Sequence, residues 1–278
     1  MLRLGQSIPV AEVARTCGEL VMRIAADPDI VTYLHLLKYR DDYTFQHSVK
    51  VGVLAALVAR WIKLPASEQF QVAIAGTLHD LGKAFIPLEI LNKPGRLTAD
   101  EFAVVQTHSR RGFELLAPEY GSGAIPPRVA LEHHERMDGS GYPSGLRGRQ
   151  VLLASRIVAV ADVYDAMTSD RVYRRGQPQY AVLAELQENG FSVLDPQITE
   201  VFVERFVHQI HGRLVRLSDG QVGRVVFTDA RDPARPIVAV GHRLIDLKLR
   251  RDLQLIGESL DGSATGEGGG SPNGRCGR

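Results

Sequence analysis

Apolar positions recur at helical spacing along most of this chain. Residues Pro9 to Ala26 carry that spacing and stop at Asp27-Pro28, where a proline ends further winding. Tyr43 to Ile62 predicts a second helix, ending before Leu64-Pro65, and a third starts near Ser67 and runs through Leu81. Thr98-Ala99-Asp100-Glu101 reads as a capping box that opens a helix carrying His108. A short helix is expected around His133 and His134. Gly139, Gly141, Pro143, Gly145 and Gly148 then crowd one segment, which must be a loop. Helical spacing returns over Val151 to Ser169, Gln179 to Asn189 and Pro196 to His211. At Arg213 the period changes. RLVRLSDGQVGRVVFTDA alternates and holds Asp219-Gly220, a hairpin signal, and PIVAV reads as another strand. The end of the chain is rich in Gly, Ser and charge, the composition of a disordered tail. The pattern therefore predicts a mainly α protein with a small C-terminal β appendage. Its expected parts are an N-terminal helical segment (1–42), a helical domain (43–212), a β-rich appendage (213–257) and a tail (258–278).

Composition narrows the function classes. With 278 residues the chain can bury a sizeable core, and its formal net charge of +1 offers no global field for nucleic acid or an anionic membrane. Cys17 and Cys276 are the only cysteines, which excludes a disulfide framework and fits a reducing cytoplasm. The N-terminus lacks a signal peptide's basic start and apolar run, and no apolar stretch approaches the ~18 to 20 residues that cross a bilayer. The expectation is a cytoplasmic protein without nucleic-acid or membrane partners. Residues 213–257 are basic overall, but the charge is spread along them, so they read as a packing and dimerisation appendage and the protein as a possible homodimer.

The histidines carry the chemistry. Taken singly, a histidine beside an apolar helix is most often a hydrogen-bonded core or surface residue. Taken together, His47, His79, Asp80, His108, His133, His134 and Asp162 recur at about one helical hairpin each, as in bundles that aim ligands inward from several helices. Imidazole and carboxylate are ligands for Fe, Mn, Zn, Co or Ni. Neighbours on a helix point about 100° apart, so His79 and Asp80 can share one metal only near a helix end. Leu81-Gly82-Lys83 supplies such an end. The two oxygens of Asp80 can also bridge two metals.

The strings HSVKV (47–51), HDLGK (79–83), LNKPGRLT (91–98), THS (107–109), HHERMDGSGYP (133–143), ADVYDAMTSD (161–170) and RVYR (171–174) resemble the HD-GYP family, a branch of the HD metal phosphohydrolases. The likeness covers about residues 43 to 212. It implies an HD-type helical bundle and hydrolysis of cyclic di-GMP to pGpG or GMP. It also implies two divalent metals, Fe or Mn, with Asp80 as bridge: His47, His79, Asp80 and Asp162 on one, and Asp80, His108, His133 and His134 on the other. Some members hold a third metal through a Glu four residues before the first His; Tyr43 stands there, so a dinuclear site is expected. Such a pair can share a hydroxide and make it nucleophilic at neutral pH. Lys83 is the expected stabiliser of phosphoryl charge. Arg171 and Arg174 match phosphate-contacting positions, although a solvated charge patch is an equal reading for Arg174. Tyr142 either contacts substrate or packs the Gly141-Tyr142-Pro143 loop, and Asp138 either orders that loop or faces solvent. The loop is also a candidate docking surface for a diguanylate cyclase domain. His35, His208, His211 and His242 read as structural or surface residues, and Trp61 and Phe102 as core. The alternatives are a non-catalytic cyclic di-GMP receptor and a phosphohydrolase for another nucleotide.

Overall fold

A computed structural model describes residues 10–27, 34, 43–170, 176–209 and 211–258. His35, Arg171, Arg174 and residues 259–278 lie outside the described residues, as does the side chain of Tyr43. Among the described residues, nine α-helices precede a five-stranded antiparallel sheet. The helices are α1 (Val10–Ala26), α2 (Tyr43–Trp61), α3 (Ala66–Leu78), α4 (Leu88–Leu91), α5 (Ala99–Tyr120), α6 (Ile125–Glu132), α7 (Leu153–Thr168), α8 (Gln179–Val193) and α9 (Pro196–Gln209). The strands are β1 (Leu214–Leu217), β2 (Val222–Phe227), β3 (Ile237–Val240), β4 (Arg243–Asp246) and β5 (Leu255–Glu258), in the order β4-β3-β2-β1-β5. None of the described helices is long and apolar enough to cross a membrane.

The central helices are buried nearly all round, because α2 and α7 offer apolar residues on every face: Val51, Val53, Leu54 and Val58 on one, Ile157, Val158, Val160 and Ala161 on the other. Tyr164, Phe202 and Phe206 tie α7 to α9, with ring centroids 4.9 to 5.3 Å apart. The inner face of the sheet, through Val215, Leu217, Val225, Val238 and Ile245, joins the same apolar core. The expected hairpin forms at Asp219-Gly220, pairing Leu214 with Arg224 and Arg216 with Val222.

Two close backbone approaches position the site. On α2 and α3, a Cβ at Gly52 would stand 2.3 Å from Thr77 Oγ1, and one at Gly76 would stand 3.0 Å from Gly52 Cα. Only small residues allow that crossing, which draws His47 toward His79. The second approach involves Gly82, where a Cβ would stand 2.0 Å from the His108 carbonyl oxygen and 2.6 Å from Gly112 N. That contact pulls the chain out of α3 into a 3₁₀ turn, Leu81–Phe85, so the helix ends at Leu78 rather than at the expected Leu81. The helix expected to carry His133 and His134 likewise ends early, at Glu132. There the His133 backbone N–H still donates to the Val129 carbonyl, and the ring engages the Ala130 carbonyl that a longer helix would use.

Candidate metal centre

His47 lies in the second turn of α2, His79 and Asp80 follow α3, His108 is midway along α5, His133 and His134 follow α6, and Asp162 is on α7. Five elements thus converge on one buried volume. Asp80 sits at φ −98°, ψ 7°, a bridge-region conformation at the junction of helix and 3₁₀ turn. From there its two oxygens face different groups. Oδ2 lies 3.6 Å from His47 Nε2 and 3.3 Å from His79 Nε2. Oδ1 lies 3.4 Å from His108 Nε2 and 3.7 Å from His133 Nε2. Potential ligand atoms of His47, His79 and Asp80 fall within 4.8 Å of one another, as do those of Asp80, His108, His133 and His134. Asp162 flanks the first group, with Oδ1 3.2 Å from His47 Nε2 and 3.9 Å from His79 Nε2.

The outer ring nitrogens are already engaged. His79 Nδ1 donates to the Gly76 carbonyl at 2.7 Å, His108 Nδ1 to Val105 at 2.7 Å, and His133 Nδ1 lies 3.1 Å from the Val129 and Ala130 carbonyls. His47 instead uses a side chain, with Nδ1 2.7 Å from Asp165 Oδ2. For His79, His108 and His133 these partners favour the tautomer that turns the Nε2 lone pair inward, the arrangement of metal-ligating histidines. The Nε2 atoms of His108 and His133 then stand 3.3 Å apart. Two lone pairs so placed repel unless a proton or a metal cation lies between them. His79 Nε2 and Asp80 Oδ1 are buried without hydrogen bonds among the described residues. A buried polar atom left unpaired is unfavourable, and these two point where a cation would satisfy them. The donor set therefore fits divalent metals.

The electrostatics agree. Burial disfavours ionised Asp80, yet His79 and Lys83 outweigh it and hold the carboxyl well below the usual range. Burial likewise opposes Asp162, and the hydrogen bond from His47 and the field of His79 keep it low. Burial, reinforced by His133, pushes His108 down to about 4. Burial also pushes His134 well below its ordinary value. His47 alone goes up, to about 9: burial would lower it, but hydrogen bonds to Asp162 and Asp165 prevail. Anionic oxygens and neutral imidazoles thus line most of the site, the protonation state that metals require.

Around this centre, Lys83 Nζ contacts Asp80 Oδ2 at 2.5 Å from a partly exposed position. Tyr142 lies against His134, with centroids 4.6 Å apart and planes 31° apart, so it packs the loop onto the site. Asp138 is exposed but also orders the loop, accepting from Ser140 N and Oγ at 2.9 and 2.6 Å. Glu135, buried at the loop base, accepts from Ser144 N and Leu146 N at 2.7 and 2.9 Å. Trp61 packs on the core as expected. Phe102 does not: it is 46% exposed beside Tyr142, because it sits in the first turn of α5, ahead of the stretch from His108 onward that meets the core. Sequence reading also passed over Asp165 and Lys50. Asp165 follows Asp162 by three positions and Lys50 follows His47 by three, so each shares a helix face with a candidate ligand, a signal that was present.

The HD domain family model matches residues 32–198. The chain is 39% identical over 239 residues to the cyclic di-GMP phosphodiesterase PA4108 of Pseudomonas aeruginosa, covering 86% of this chain and 57% of that protein. It is also 39% identical over 165 residues to 3'3'-cGAMP-specific phosphodiesterase 1 of Vibrio cholerae, covering 59% and 38% respectively. The chain therefore spans about half the length of the curated relatives it matches. Among solved structures, Bd1817, a HDG"Y"P protein from Bdellovibrio bacteriovorus, aligns with a TM-score of 0.59 at 17% identity, over 71% of this chain and 63% of that one. That likeness concerns the fold.

Proposed function

The chain belongs to the HD domain family, and from that premise we propose that it is a phosphodiesterase hydrolysing cyclic di-GMP to pGpG or GMP at a two-metal centre bridged by Asp80. The observation that carries this reading is the division of Asp80: Oδ2 faces His47 and His79, while Oδ1 faces His108 and His133. His47, His79, Asp80 and Asp162 would hold one cation, and Asp80, His108, His133 and His134 the other. Bound there, two divalent ions, Fe or Mn by the mixed nitrogen and oxygen ligation, would lower the pKa of water and neutralise charge on the phosphoryl group. Lys83 is the partly exposed cation beside the bridging carboxylate. Its partly exposed side chain can leave Asp80 Oδ2 for a phosphoryl oxygen as charge develops there. Tyr142 holds the glycine-rich loop against His134. Arg171 and Arg174 are assigned to the substrate phosphates by motif.

We place the reaction in the cytoplasm, in keeping with two cysteines in the whole chain. The 139–148 loop, exposed at Ser140 beside the centre, is the surface assigned to a diguanylate cyclase domain. Exposed Val226, Phe227 and Leu244 on the sheet support pairing of two chains there.

Anaerobic metal analysis coupled to a cyclic di-GMP hydrolysis assay tests the proposal. The expected result is about two metals per chain and turnover lost in Asp80→Ala and His108→Ala. Metal-loaded protein that binds cyclic di-GMP and leaves it intact would be a receptor instead. The relative named as 3'3'-cGAMP-specific supports a second reading, in which the same centre cleaves a mixed cyclic dinucleotide. Relative kcat/KM on the two substrates decides between them.

A further inference from the structure

Phe102 is a phenylalanine where burial is expected, yet nearly half of its side chain faces solvent. It is also held rigidly. The Thr98–Glu101 capping box closes the first turn of α5, with Thr98 Oγ1 accepting from Glu101 N at 3.2 Å and Glu101 Oε2 accepting from Thr98 N at 2.7 Å. Lys93 Nζ clamps both oxygens of Glu101, at 2.7 and 2.6 Å. Phe102 N donates to the Thr98 carbonyl at 2.9 Å. The ring meets Tyr142 edge to face, with centroids 6.1 Å apart at 84°, and Tyr142 in turn lies 4.6 Å from the His134 ring. Two ring contacts therefore separate an exposed aromatic face from the candidate ligands His108 and His134.

From this placement, and resting on the phosphodiesterase reading, we infer that Phe102 is the stacking platform for a nucleobase of the substrate, buttressed by Tyr142, while the adjoining phosphodiester lies at the metals. A preformed aromatic face on a helix turn gives up little entropy on binding, and stacking tolerates any base because each has a π face. The platform would therefore orient a cyclic dinucleotide without choosing between guanine and adenine. Selection of the base falls to hydrogen-bonding groups elsewhere.

The test uses the metal-loaded full chain with cyclic di-GMP for turnover and its phosphorothioate analogue for equilibrium binding. Phe102→Ala should raise KM and the analogue's Kd about ten-fold, the loss of one stack, with kcat near wild type. Phe102→Trp should restore both to near wild type, and its new indole emission should be quenched by the bound analogue. Turnover or binding indifferent to Phe102→Ala overturns the platform and leaves the phosphodiesterase reading standing. So does a loss of kcat that tryptophan does not rescue, or tryptophan emission unmoved at saturation. Binding that depends on Phe102 without turnover in the wild type overturns the phosphodiesterase reading alone. Absence of binding by the wild type overturns both.

Discussion

Asp165→Ala should separate the two halves of the metal centre. Asp165 is buried on α7, with Oδ2 2.7 Å from His47 Nδ1. Its other oxygen accepts from Ser169 Oγ at 3.1 Å and lies 3.8 Å from Lys50 Nζ. Removing the carboxylate strands the Nδ1 proton of a buried imidazole, a loss of about 1–3 kcal/mol. It also frees the ring to turn or to change tautomer, so Nε2 no longer points steadily at Asp80. Loss of such an outer hydrogen bond lowers metal affinity about 10–100-fold, or about 1.5–3 kcal/mol. The effect should be confined to one metal, because His108 and His133 are oriented by carbonyls of their own helices. Chelator competition, with metal counted per chain, should show one ion lost at chelator levels the wild type resists and the other held. Asp165→Asn keeps the shape and one acceptor and should lose less. Two ions retained at wild-type affinity in Asp165→Ala, or both lost together, would refute the assignment of Asp165 to His47.

Two further outcomes follow from packing and charge. In Gly82→Ala, the new Cβ would stand 2.0 Å from the His108 carbonyl, so the 3₁₀ turn must move off α5. The expected loss is about 1–3 kcal/mol in urea unfolding, with weakened metal binding as Asp80 Oδ1 leaves His108; wild-type stability would show that the approach is not tight. In metal-free protein, thermal stability should peak near pH 6.5. His108, lowered to about 4, contributes stability above its unfolded value that is lost as pH falls toward 4; His47, raised to about 9, contributes stability below its unfolded value that is lost as pH rises through 9. Each arm is about 3 kcal/mol, and a midpoint that rises steadily from pH 6.5 to 9 in calorimetry would contradict the His47 arm.

The convergence of the seven candidate residues was legible because the ligand types are rare on apolar helices and recur once per hairpin. The capping box at Thr98 and the Asp219-Gly220 hairpin were legible for a similar reason, since each is a local device with a local signature. The ends of α3 and α6 were not. They depend on a glycine of one segment meeting the backbone of another, as Gly82 meets His108, and no local pattern encodes that contact. Phe102 was misjudged on the same ground. Its type favours burial, and Ser109 and Leu116 on the same face of α5 are buried, but how far along the helix the core reaches is set by other segments and leaves the first turn exposed.

Those early helix ends bear on the chemistry. The last carbonyls of a helix lack intrahelical partners, and a buried end must satisfy them. At the end of α3 the Gly76 carbonyl accepts from the His79 ring, and at the end of α6 the Ala130 carbonyl meets the His133 ring. One set of hydrogen bonds thus satisfies the helix terminus and turns each Nε2 inward. His47 lies in the second turn of α2, far from the C-terminus of its own helix, and its ring is oriented by Asp165 on another helix. The first half of the centre therefore depends on how α2 packs against α7, whereas the histidines of the second half that show ring hydrogen bonds are oriented within their own helices. Strain or mutation at the α2–α7 contact should reach the His47 metal first.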